Sequence, residues 1–233
     1  MEWPREAFSE VLFPSLSAPA SEPIPVLPES QPSWAILDKS SPNSLKQQMD
    51  ELVSNHSNPR DHETFSSSIT FDESNGPVII ENSALVEPST HFIGPCYIGK
   101  EAIIRHGAYV REYSWICTQA VVGHASEVKH SILLPGAKAP HFNYVGDSIL
   151  GKGVNLGAGV KLSNLRNDGT EVILRIGGAR RSSGLRKFGA ILGEGCQLGC
   201  NAVTNPGTIL GCNSTVWPNV TVTGVHGENS NHR

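Results

Sequence analysis

Ile80, Val86, Phe92, Ile98, Ile104, Val110, Ile116, Val122 and Val128 fall at every sixth position without a slip. Four residues after each of the first eight comes a small side chain: Ala84, Thr90, Cys96, Ala102, Ala108, Ser114, Ala120 and Ser126. The pattern returns at Leu150, Leu156 and Leu162, and again at Leu192, Leu198, Thr204, Leu210, Val216 and Val222. A period of six suits neither a helix nor a freely alternating strand. It predicts a coil in which each hexad makes one short strand and one corner, and three hexads close a triangular turn. The large residue points inward. The small one also points inward, near a corner where a larger side chain would overpack at a cost of about 1–3 kcal/mol. Glycines beside the repeat boundaries, such as Gly107, Gly153 and Gly195, are expected to supply corners that need positive φ.

Outside the repeat the chain changes character. None of the 23 glycines precedes Gly76, whereas nine of the 16 prolines lie before residue 60. Residues 1–68 are therefore expected to form a Pro/Ser-rich segment, with 1–33 extended or mobile. A short helix is predicted over 42–53, capped by Ser41 with Pro42 at its first position, and a linker follows over 54–68. The body is expected over 69–225 and a polar tail over 226–233. Two stretches, 129–149 and 165–190, read as interruptions of the repeat, of the kind that gather on a binding face. The second carries six of the 18 Lys and Arg residues, Arg166, Arg175, Arg180, Arg181, Arg186 and Lys187, against Asp168 and Glu171. That composition reads either as a solvated surface loop or as an anion-binding loop for phosphates.

The net charge of −4 argues against nucleic-acid or membrane-surface binding. No apolar run reaches the length of a membrane span, and no secretory signal is apparent. Five cysteines, an odd number with no CxxC, read as reduced thiols, so a cytoplasmic location is expected.

The run from Lys138 to Asp147, KAPHFNYVGD, is followed by NLGAG from Asn155 and by Ser163-Asn164. With Val110-Arg111, Glu127-Val-Lys129 and KFGAILG from Lys187, it resembles the acetyltransferase half of the bifunctional enzymes that make UDP-N-acetylglucosamine. The resemblance covers about residues 78–223, and the basic loop looks closest to archaeal-type members. It implies a left-handed parallel β-helix of hexapeptide repeats, preceded here by the short extended and helical segment. It also implies a parallel homotrimer with sites between subunits. The activity implied is acetyl-CoA-dependent N-acetylation of glucosamine-1-phosphate or a related amino-sugar phosphate. His141 is implied as general base and Asn164 as the residue placing the amine. Arg111, Lys129, Tyr144, Asn155 and Lys187 are implied at the sugar phosphate, and Ala158, Cys200 and Pro218 along the acetyl-CoA cleft. The residue types suit the reaction. An amine must lose a proton before it attacks a thioester, and histidine accepts one near neutral pH. A phosphate monoester calls for cations.

Departures from the family pattern also stand out. Leu165 replaces a tyrosine, Cys200 a serine and Pro218 an alanine, and the family's C-terminal arm has no expected counterpart in VHGENSNHR. A non-catalytic trimeric sugar-phosphate-binding or scaffolding module is the alternative. Uridylyl transfer is not expected, because its nucleotide loop needs glycines early in the chain. No metal is expected either, since no two histidines have the five-residue spacing of the metal-dependent hexapeptide enzymes.

Overall fold

The computed structural model describes residues 3–17, 22–56 and 62–233. Three parallel sheets of eight short strands each wind into a three-sided β-solenoid of about nine turns. We call them sheet A (first strand Thr70–Asp72), sheet B (first strand Val78–Ile80) and sheet C (first strand Leu85–Val86). The hexad rule holds inside. Phe92, Val110 and Val128 stack from sheet A, Ile80, Ile98 and Ile116 from sheet B, and Ile104 and Val122 from sheet C; all are buried in one core. Ala84, Thr90, Cys96, Ala102, Ala108, Ser114, Ala120 and Ser126 are buried beside the corners as expected.

The stretch 129–149 corrects the sequence reading. It does not leave the solenoid. Ile132–Leu133, Lys138–His141 and Tyr144–Gly146 continue sheets B, C and A in register. The repeat is lost to the eye because two corners are one residue short. The inward residue comes five positions after Val128, at Leu133, and five after Val145, at Leu150. Partners in adjacent turns are 17 residues apart here, as in His130 and Asp147, instead of the 18 of Glu101 and Gln119. Residues 226–233 are likewise not a tail, since Val225–His226 and Asn231–His232 extend sheets B and C.

Only the second interruption departs, as an antiparallel hairpin of Ile173–Ile176 and Ala179–Ser182. Gly177 and Gly178 both take positive φ (53° and 85°), as a two-residue twisted turn requires. Val172 and Leu174 are fully buried and seat the hairpin on the body. They lie so close to Gly207 that a β-carbon there would fall 2.7 Å from Val172 Cγ1. Gly107, Gly153 and Gly195 take positive φ as expected (69°, 69° and 73°), but glycine is not alone in doing so. Gln119, Ala125, His130, Phe142, Asp147, Asn201, Asn213 and Asn219 also take positive φ. Asparagine and aspartate tolerate this region through local hydrogen bonding; the others are held there by the turns above and below.

The N-terminal segment is also more ordered than its composition suggests. Residues 5–7, 9–12, 14–17 and 33–37 form short helical turns, and Leu45–Asn55 forms a helix. Its cap is Ser44, not Ser41, and the Ser44 hydroxyl accepts from Gln47 N at 3.2 Å. Asn43, at φ 65°, breaks the helix that Pro42 would otherwise begin. Ala7, Leu12, Phe13, Trp34, Ile36, Leu37, Leu45 and Met49 are buried against the outer side of sheet B. There Ile79, Tyr97, Trp115, Ile132, Ile149, Ile191 and Ile209 point outward, each just before an inward residue. Burying one such side chain stabilises by about 1.5–3 kcal/mol. Polar pins fix the seat: Trp115 Nε1 donates to Pro23 O (3.1 Å), Trp34 Nε1 to Ser183 O (3.2 Å) and Glu194 N to Leu12 O (3.0 Å). Part of the expected linker, residues 57–61, lies outside the described residues.

Candidate functional site

Sheet A is not covered by the N-terminal segment, and most of the sequence-derived residues lie on it or along its two edges. At the edge towards sheet B lie Arg111, Lys129, Asn164 and Lys187. Their backbone places them. Lys129 O accepts from Asp147 N (3.0 Å), and Asn164 O accepts from Phe188 N (2.9 Å). The two short corners put His130 and Asp147 here at positive φ (44° and 46°), with both side chains buried. His130 Nδ1 and Asp147 Oδ1 are 2.8 Å apart, and Asp147 Oδ2 accepts from Asn164 Nδ2 at 2.5 Å. Burial works to raise the Asp147 carboxyl. The His130 bond and charge, with Asn164 and Lys129, outweigh it and hold the group below its ordinary range. Asn164 is thus fixed from behind through its side-chain amide nitrogen. His130 Nε2 is buried with no hydrogen-bond partner among the described residues.

Tyr144 lies on the outer side of sheet A beside this cluster. A β-carbon on Gly146 would fall 2.6 Å from Tyr144 Oη and 2.7 Å from Asn164 Nδ2, so glycine is what lets the ring lie across the strand. Burial, with the charges of Glu127 and Asp147, pushes the Tyr144 phenol up. The Lys129 charge, followed by burial, pulls Lys187 down, and Asp147 partly offsets both. Two ammonium groups held this close attract an anion. The cations also have internal partners. Arg111 bonds Glu127 (2.8 Å) and approaches Glu112 (3.5 Å), and Lys129 stands 3.9 Å from Glu112.

The opposite edge, towards sheet C, is a ladder of His106, His124, His141, Ala158, Cys200 and Pro218. Each of the first five carbonyls accepts from the amide that follows the next rung: Ala125, Phe142, Gly159, Asn201 and Asn219, at 2.8–3.3 Å. The general-base candidate and the three coenzyme-cleft candidates therefore stand in one line. His106 and His124 stack with centroids 5.6 Å apart. His141 is exposed, and its backbone is set by Asn143, which accepts from His141 N (2.9 Å) and donates to Gly157 O (2.8 Å). Gly123 is pressed so hard on Pro140 that a β-carbon would fall 1.7 Å from its carbonyl oxygen. Asn155 is apart from the cations. It lies on sheet C, paired with Lys138 and Gln197. A strand of three residues, roughly 10 Å, separates the two edges. No cluster of three or more metal-ligating side chains occurs among the described residues. No helix there is long and apolar enough to cross a membrane.

Sequence reasoning assigned no role to His130, Asp147 or the N-terminal Lys39 and Lys46. The ammonium groups of those lysines stand 5.6 and 5.5 Å from the Tyr113 ring, which lies at right angles to the His130 ring. The five-residue steps were the available signal for the buried pair. Nothing in the sequence announced the lysines, because their position depends on the apolar seat over sheet B.

A family profile described as the GMPPB C-terminal domain matches residues 92–178. The bifunctional sugar-1-phosphate nucleotidylyltransferase/acetyltransferase of Sulfurisphaera tokodaii is 39% identical over 147 residues, covering 63% of this chain and 37% of that protein. The bifunctional protein GlmU of Methanococcus vannielii is 38% identical over 147 residues, covering 63% and 35%. The chain resembles GlmU-type proteins over its solenoid. It spans about a third of the length of these curated relatives. Among solved structures, a hexapeptide transferase family protein from Anaplasma phagocytophilum aligns with 68% of this chain and 78% of its own, at 15% identity and a TM-score of 0.23.

Proposed function

We propose that the chain is an acetyl-CoA-dependent N-acetyltransferase for an amino-sugar phosphate such as glucosamine-1-phosphate, working as a cytoplasmic homotrimer. The observation that carries this reading is the arrangement of sheet A. One edge holds cations and an anchored asparagine, and the other holds an exposed histidine in line with Ala158, Cys200 and Pro218. The phosphate binds Lys129, Lys187 and Arg111 beside Tyr144, with Asn155 on the far side of the histidine edge. The side-chain oxygen of Asn164, whose amide nitrogen is held by Asp147, orients the amine. His141 accepts the amine's proton as nitrogen attacks the thioester carbon; the C–N bond forms, the C–S bond breaks, and the thiolate leaves to be protonated. Backbone amides of the ladder corners are suited to stabilise the oxyanion. The test is thiol release from acetyl-CoA with glucosamine-1-phosphate. His141→Ala should lower turnover by about 10²–10⁴ with little change in sugar-phosphate affinity.

One observation favours the non-catalytic alternative. Arg111 is already bonded by Glu127, and Glu112 faces both Arg111 and Lys129. Sugar-phosphate binding without thiol release would establish that reading and remove the first.

A further inference from the structure

The hairpin inserted after Leu165 carries a charge arrangement that the proposed chemistry leaves unused. Arg175 and Arg180 stand directly opposite one another in its antiparallel register. Such a pair brings β-carbons to about 5 Å, and like charges there repel. Neither guanidinium meets a carboxylate among the described residues. Asp168 is taken by Arg166 and Thr170, and Glu171 by Ser182. The hairpin is not a free tassel. Val172 and Leu174 are buried at its base, and a β-carbon on Gly224 would fall 3.0 Å from Arg175 O. Both arginines are thus held over a cavity of about 400 Å³, whose lining also includes Ser163, Asn205 and Thr223. Asn205 Nδ2 bonds Thr223 Oγ1 at 2.5 Å, so amide and hydroxyl form one polar floor.

We propose that this cavity is a second anion site, taking a phosphate ester or diphosphate group between Arg175 and Arg180, separate from the Lys129–Lys187 corner. Two planar guanidinium forks present paired N–H donors that match phosphate oxygens, and a dianion relieves their mutual repulsion. The volume suits a phosphorylated small molecule. A nucleic acid does not fit: the basic patch is confined to one hairpin on a chain of net charge −4. The site stands on the hairpin geometry alone and holds whether or not the chain transfers acetyl groups.

The test is calorimetric titration of the full chain with inorganic pyrophosphate. The double variant Arg175→Gln/Arg180→Gln should bind at this site at least tenfold more weakly, while Lys129→Gln/Lys187→Gln retains it. The variant Arg175→Lys/Arg180→Lys, which keeps the charge and loses the forks, should fall between and guards against a folding defect. Competition then separates the sources of the phosphate: coenzyme A displacing the arginine-dependent pyrophosphate assigns the site to a coenzyme, and glucose-1-phosphate displacing it assigns a sugar phosphate. Unchanged affinity in the Arg→Gln pair, or loss of all pyrophosphate binding in the lysine pair, would overturn the proposal.

Discussion

Sheets A and B follow the same rule inside the solenoid and differ at the position just before each inward residue. On sheet B that position holds Ile79, Tyr97, Trp115, Ile132, Ile149, Ile191 and Ile209, and the chain's own N-terminal segment covers them. On sheet A it holds His91, Tyr109, Glu127, Tyr144, Lys161, Val203 and Thr221, and none of these is fully buried. Inward residues decide that a solenoid forms. Outward ones decide what each wall receives: sheet B takes an intramolecular strap, and sheet A keeps a polar, partly exposed face.

The contrast is sharpest for one substitution made on both walls. Ile209→Glu should destabilise by at least about 4 kcal/mol, because the strap would bury an unpaired charge. Denaturant titration would show it, and a loss below about 1 kcal/mol would mean the strap lifts off freely. At the edge between the walls, Asp147→Asn should cost about 2–3 kcal/mol by breaking the buried hydrogen bonds to His130 and Asn164. Asp147 lies below its ordinary range in the folded state, so its stabilisation is present above the unfolded carboxylate value. It is lost as pH falls through the folded one. The difference between wild type and Asp147→Asn should therefore be largest above about pH 4 and shrink below it. A difference that grows on acidification would refute the assignment. Lys129→Ala should weaken glucosamine-1-phosphate binding by about 1.5–3 kcal/mol, measured by calorimetry. Least of all, Thr221→Glu on sheet A should move stability by about 0.5 kcal/mol or less.

The fold was legible because a period of six can be satisfied in few ways, and the inward residues it marked are buried, save Val86, which packs half-buried against the core. The strap was not read from the sequence, although its seat is written there in apolar pairs such as Tyr97-Ile98 and Trp115-Ile116 recurring on every third hexad. Its proline and serine content drew the eye to disorder instead. Composition describes a segment's own capacity to fold, whereas this segment borrows an apolar surface from the solenoid. The candidate residues stood out as a motif, but their division between two edges did not. That division depends on two corners whose shortening looked like a break in the pattern. Asn155 shows the limit well. It is five positions from Leu150 in sequence, yet it stands on a different wall from Lys129.

Those short corners set a rule for anyone cutting and splicing this scaffold. A solenoid of equal turns is modular, and one turn can be exchanged for another as beads on a string. Between Val128 and Leu150 the thread is two residues shy of that count, and the deficit is what turns His130 and Asp147 out of solvent. Grafting a consensus turn of 18 across this stretch would mend the numerical rhythm and leave the handhold behind Asn164 empty. The irregularity is the part of this scaffold that cannot be averaged away.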